Sequence, residues 1–288
     1  MRIFTLQDFI EGNIPRPEDF SAALEQFELD CVTPFLGDEV LGAIAYGSVN
    51  TGDCNVASDI DYLMITTDDS HNEIVREATR RALEERHVSI QTRVINEKNA
   101  MAGIHTINES FKEHLALSVD QYGHRGDVNP LDVLDNNKVP FRRAARETIN
   151  FYLGHLTNFG TNAHTSEEEY VRMLKYVMEL PYHAMGVAIQ HDRGPISPGG
   201  ETECVDTKPE LMREYERLEY DPSLMEDLRV IGATRRDYIN LLERRQMGDV
   251  SEGSMVSEYS DMLDRVSGCY QNARHFIQEN ARLMVKKS

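Results

Sequence analysis

The 288-residue chain is 40% hydrophobic and carries 49 acidic against 30 basic side chains, a formal net charge of -19. That size buries a substantial core and suits two modest domains. The acidity repels a phosphate backbone over most of the surface; because the short basic groups Arg142-Arg143 with Arg146, Arg235-Arg236 and Arg244-Arg245 alternate with carboxylates in helical contexts, extended duplex DNA binding is not expected.

In chain order, the amino terminus reaches Asp8 before a signal-peptide apolar region forms, so a cytoplasmic location is expected. Ser21 to Phe35 places Ala23, Leu24, Phe27 and Cys31 at helical spacing behind a Ser21 cap and predicts a helix closing at Gly37. The apolar run Leu41 to Tyr46 and the run Ile60 to Thr67 predict two adjacent strands joined by a polar loop. A charged helix is expected over 71–86, then a half-buried strand in which Val88, Ile90, Thr92 and Val94 alternate with Ser89, Gln91 and Arg93. Leu115 to Tyr122 reads as one more strand, which completes a mixed α/β unit.

After Pro140 the pattern turns helical, over about 141–158, 166–191, 208–219, 223–247 and 254–285, interrupted by a Gly/Pro-rich stretch from Gly194 to Gly200. An α+β chain follows, with an amino-terminal domain over 1–139 and a helical domain over 140–288 whose long loop at 192–207 lies at the surface or over a cleft. The longest apolar runs fall far short of the roughly 18 to 20 residues that span a bilayer, so no membrane partner is expected. Cys31, Cys54, Cys204 and Cys269 are scattered and read as free thiols, and the ten histidines show no metal-ligand spacing.

The chemistry concentrates between Tyr46 and Leu63. Asp59 and Asp61 are two apart in a strand-like run, so both carboxylates project from one face, an unfavourable pairing that a cation relieves. Hard oxygen ligands of this kind suit Mg2+ carrying triphosphate oxygens. Gly47-Ser48 follows the first strand, where glycine lets a ligand approach the backbone and exposed amides and a hydroxyl donate to phosphate. Ser58 either adds a hydroxyl to that site or closes the loop on its own backbone.

Tyr46-Gly47-Ser48, the ten residues 49–58, and Asp59-Ile60-Asp61-Tyr62 together resemble the signature of the DNA polymerase β-like nucleotidyltransferases. The motif covers about residues 41–66, and the remainder is similar in architecture to the antibiotic (aminoglycoside) and minimal nucleotidyltransferases. The resemblance implies a polymerase β-like domain with a small mixed sheet followed by an α-helical bundle. It implies Asp59 and Asp61 as catalytic metal ligands, Gly47, Ser48 and Ser58 at the nucleotide, and a basic side chain of the helical domain, Lys175 or Arg172, near the triphosphate. The reaction implied is Mg2+-dependent attack of an acceptor hydroxyl on the α-phosphate of ATP or another nucleoside triphosphate, with release of pyrophosphate.

Many members carry a third carboxylate on a neighbouring strand, whereas the third strand here offers Ser89, Gln91 and Arg93. Acids elsewhere include Glu97, Glu113, Asp120 and Glu147. The base therefore comes from another segment, the proton goes to substrate or water, or the chain binds nucleotide without transfer. The expected acceptor is a small molecule such as an aminoglycoside; a protein or RNA acceptor and a nucleotide-binding regulatory module are the alternatives. Tyr152, Tyr170, Tyr176 and Tyr182 read as core residues or as the lining of an acceptor pocket.

Overall fold

A computed structural model describes residues 1–51, 54–107, 109–134, 141–161, 166–194, 208–218 and 220–286. The chain is α+β and divides into two compact units, one formed by 15–139 and the other by 1–14 together with 140–288. Among the described residues no helix is long and apolar enough to cross a membrane.

The first unit is built on a three-stranded sheet of β1 (Val40–Tyr46), β2 (Ile60–Thr66) and β3 (Ile90–Asn96). The central β2 pairs antiparallel with β1 and parallel with β3, so the sheet is mixed. Helices α2 (Pro17–Cys31) and α4 (Asn72–Arg86) cover one face. Their Phe20, Ala23, Phe27, Val75, Ala78 and Ala82 meet Ile60, Tyr62 and Met64 in one apolar core. The opposite face, with Ile44, Tyr46, Leu63 and Ile65, is covered by α5 (Glu97–Met101), α6 (Glu109–Tyr122) and α7 (Pro130–Val133), which contribute Ala100, Leu115 and Leu131. Burying apolar side chains on both faces makes β2 apolar at Ile60 and at Tyr62 through Ile65, leaving Asp61 as its charged position.

Two sequence expectations are corrected here. Leu115 to Tyr122 is not a strand but the second half of α6. Its inward positions are Phe111, Leu115, Ser118 and Val119, the three-and-four spacing of a helix, which a window starting at Leu115 is too short to separate from alternation. The helix predicted behind a Ser21 cap starts earlier, with Pro17 in its first turn and the Asp19 carboxylate accepting the Arg16 N–H at 2.7 Å. Proline is pre-organised for that position, so Ser21 lies inside the helix.

The second unit contains α8 (Phe141–Thr161), α9 (Glu167–Arg193), α10 (Lys208–Glu216), α11 (Pro222–Met247), α12 (Met255–Gly268) and α13 (Tyr270–Lys286). The single helix expected over 254–285 is two, separated at Cys269, whose N–H turns back three residues to Val266 O. Residues 1–14, assigned by the sequence reading to the amino-terminal domain, pack into this helical unit instead. Phe4 and Phe9 are fully buried there, and Phe9 stacks on Tyr259 at 4.3 Å. The Tyr238 hydroxyl accepts the Phe4 N–H at 2.9 Å, while Tyr259 donates to Phe4 O at 2.7 Å. The helix between them, α1 (Leu6–Glu11), is set by a Thr5–Asp8 capping box.

Cys31, Cys54 and Cys269 are free thiols, as their spacing suggests. Cys204, His164, the 135–140 segment containing the predicted boundary, and most of the 192–207 loop lie outside the described residues.

Candidate functional site

The β1 register sets Tyr46 directly opposite Asp61, and the β3 register sets Gln91 on the other side of Asp61. One row thus crosses the sheet as Tyr46, Asp61, Gln91, and the next as Ile44, Leu63, Arg93. Asp59 stands two residues before Asp61 on the same face, and the Gln91 amide donates to its Oδ2 at 2.9 Å. Ile60 between them is buried in the opposite core. Asp59 is 6% exposed and Asp61 partly exposed, so one carboxylate is buried at the entry to the central strand while the other is partly open to solvent.

Gly47 is the hinge of the site. Its φ of +81° is a left-handed conformation that side chains resist, and a Cβ placed on it would lie 2.8 Å from Asp61 Oδ2. Glycine is therefore required twice over, by the turn and by the carboxylate beside it. Ser48 follows at the start of the short helix α3 (Ser48–Thr51), partly exposed. The turn and Asp61, fourteen positions apart in the chain, are in this way immediate neighbours.

The loop entering β2 is closed on itself. Asn55 Oδ1 accepts from the Ala57 N–H at 3.0 Å, Asn55 O from the Ser58 N–H at 2.8 Å, and Ser58 Oγ from the Asn55 N–H at 2.9 Å. Ser58 is buried, and its hydroxyl serves the loop, the second of the two sequence readings. The neighbouring Cys54 thiol is pushed up from its ordinary pKa by burial, partly offset by its hydrogen bond with Ser58.

Tyr46 and Arg93 join the site without having been singled out from the sequence. The Tyr46 phenol is pushed up to about 12, first by burial and then by the negative Asp61, with Arg93 acting in the opposite direction. Arg93 Nε donates to the Tyr46 oxygen at 3.3 Å and Nη1 to Thr106 Oγ1 at 3.0 Å. The alternation of β3 already placed Gln91 and Arg93 on one face; which face required the strand register.

Lys175 stands on α9 in the helical unit, 3.7 Å from the Glu179 carboxylate, which also pairs with the Met1 amino group. Arg172 lies 3.9 Å from Glu169 on the same helix. Glu147 pairs with Arg143 at 2.9 Å, and Asp120 is exposed on α6. No group of three or more His, Cys, Asp or Glu side chains arranged to hold a metal occurs among the described residues. The acidic pair at Asp59 and Asp61 thus stands with an amide, Gln91, in the position beside it on β3.

No protein-family model matches the chain, and no curated protein matches it.

Proposed function

We propose that the chain is a magnesium-dependent nucleotidyltransferase of the polymerase β-like type. It moves a nucleoside monophosphate, first of all AMP from ATP, to a hydroxyl of a small molecule such as an aminoglycoside in the cytoplasm. The observation that carries this reading is the close approach of the Asp61 carboxylate to the side of Gly47 where a Cβ would stand, with Asp59 on the same face. A phosphate-binding turn and a pair of hard oxygen ligands are the two parts that a metal-bound triphosphate needs.

The donor set fits Mg2+: two carboxylates, one of them oriented by a neutral amide, leave the rest of an oxygen shell to phosphates and water. When bound, the ion supplies charge stabilisation at the α-phosphate and the leaving pyrophosphate. Asp59 and Asp61 hold it, and the Gly47-Ser48 amides with the Ser48 hydroxyl orient the triphosphate. In the transfer step the acceptor oxygen bonds to the α-phosphorus, the α–β phosphoanhydride bond breaks, and pyrophosphate leaves. The hydroxyl proton goes to solvent or to a base outside the Asp59, Asp61 pair.

A nucleotide-binding module without transfer is favoured by Gln91, which occupies the position beside Asp61 with a group that accepts no proton at neutral pH. One experiment addresses both readings: each labelled nucleoside triphosphate with magnesium, against panels of aminoglycosides, proteins and tRNA, for wild type and the double variant Asp59→Ala/Asp61→Ala. Labelled acceptor and pyrophosphate are expected from wild type, falling by about a hundredfold or more in the variant, the scale of losing a preorganised electrostatic stabiliser. Equal labelling by both proteins rejects the metal site, and binding without labelling of any acceptor selects the regulatory module.

A further inference from the structure

On the Asp61 face, β3 carries Gln91 in the row of Asp61 and Arg93 in the row of Leu63. Arg93 is exposed, and its guanidinium is held by neutral groups: the Tyr46 oxygen, the Thr106 hydroxyl and the Phe111 ring, whose centroid is 4.9 Å away. Tyr46 is on β1 and Arg93 on β3, with β2 between, so their backbones stand roughly 10 Å apart, two inter-strand spacings. The hydrogen bond that joins their side chains therefore runs across the face of β2, in the step between Asp61 and Leu63.

Charge sets Arg93 apart from most arginines of its unit. Arg76, Arg80, Arg81, Arg86 and Arg125 of the same unit each have a carboxylate within ion-pair distance. Arg93 has none among the described residues, and its Nη2 amino group makes no hydrogen bond among them. An exposed guanidinium tethered by neutral groups presents planar donors to an incoming anion. The strand that the family resemblance leads one to expect to bear a third carboxylate here bears a cation one step along.

We propose that Arg93 binds the polyphosphate of the nucleoside triphosphate held by Gly47-Ser48 and the Asp59, Asp61 pair. This strand cation answers the charge of the departing pyrophosphate. The assignment rests on the nucleotidyltransferase reading of the site. Two carboxylates and a triphosphate bring more negative charge than one divalent ion offsets, and a cation already fixed on the same face lowers that cost without rearrangement.

The test is calorimetric binding of ATP with magnesium, of inorganic tripolyphosphate and of AMP to the full chain, comparing wild type with Arg93→Gln and Arg93→Lys. Losing a charge-assisted contact in Arg93→Gln is expected to weaken ATP and tripolyphosphate roughly 10- to 100-fold and AMP less than about threefold. Arg93→Lys recovers part of the loss, since it restores the charge but not the planar fork. Arg93→Met, which keeps the stem over Phe111, takes the place of Arg93→Gln if the latter does not fold. Unchanged ATP affinity without the Arg93 charge overturns the assignment. So does equal weakening of ATP and AMP, which makes Arg93 only a tether between Tyr46 and Phe111. Wild type that binds none of the three probes rejects the nucleotidyltransferase reading itself and takes this assignment with it.

Discussion

Gly47 shows how one residue carries both local geometry and chemistry. Replacing it with alanine forces a side chain into a left-handed backbone and drives the Cβ against Asp61 Oδ2. Gly47→Ala is expected to cost about 1–3 kcal/mol in a urea denaturation series and to weaken triphosphate binding, because Asp61 must move. A variant with wild-type stability and wild-type ATP affinity would show that neither the turn nor Asp61 depends on glycine at this position. Gln91 makes a second case at this scale. Gln91→Asp sets a third carboxylate beside Asp61, and without divalent cation it is expected to lower stability by roughly 1–3 kcal/mol. Magnesium should return more stability to this variant than to wild type, since binding to the folded state adds to its stability. Thermal denaturation with and without magnesium reads both effects. The sequence carried Gly47, Asp59 and Asp61 through spacing alone; Tyr46 and Arg93 entered through pairing, which joins residues 47 positions apart.

Among the elements, the strands β1 and β2 were legible because short apolar runs ended at a glycine and at a polar loop, and β3 because of its alternation. Second in importance were the misreadings at α6 and at the start of α2. In α6 the run Leu115 to Tyr122 is short enough to satisfy either period, and its helical character emerges only with Phe111 included. In α2 the helix starts at Pro17, four residues ahead of the Ser21 at which the sequence reading placed its cap. The amino-terminal segment was the largest omission. Ile3, Phe4, Phe9 and Ile14 have no periodicity over so short a stretch, yet all are buried. Phe4 is fully enclosed, and Phe4→Ala is expected to destabilise the helical unit by about 3–5 kcal/mol. Denaturation followed by hydrogen exchange should show earlier opening of amides in α11 and α12, with little change in β1, β2 and β3. Equal loss of protection in both units would contradict the division at residue 14.

Across the whole molecule, buried phenols and buried thiols tie stability to alkaline pH. Tyr46 and Cys31 are both pushed up to about 12, chiefly by burial, from ordinary values of 10.0 and 9.0. Burial also raises Tyr62, Tyr182, Tyr215, Tyr238 and Tyr259. A raised pKa means that the folded state keeps protons which the unfolded chain releases. The stabilisation is complete below about pH 9 and is lost progressively as pH climbs through 10 to 12. Urea midpoints should therefore stay flat through neutral pH and fall steeply above about pH 10. Tyrosinate absorbance should rise together with unfolding rather than ahead of it for the buried phenols. Ionisation of most of the twelve tyrosines before any loss of structure would refute this.

By itself, the sequence determined the α+β class, the helical character of the described residues after 140, and a turn and carboxylate pair on neighbouring strands. These follow from local rules: side-chain period, chain-breaking residues, and the alternation that puts Asp59 and Asp61 on one face. Only the tertiary structure decided that Asp61 lies beside Gly47, that Gln91 donates to Asp59, that Arg93 reaches Tyr46 across β2, and that residues 1–14 belong to the helical unit. The physical reason is common to all four. Strand register and the burial of short apolar segments are settled by packing between residues far apart in the chain, where no local pattern specifies the partner.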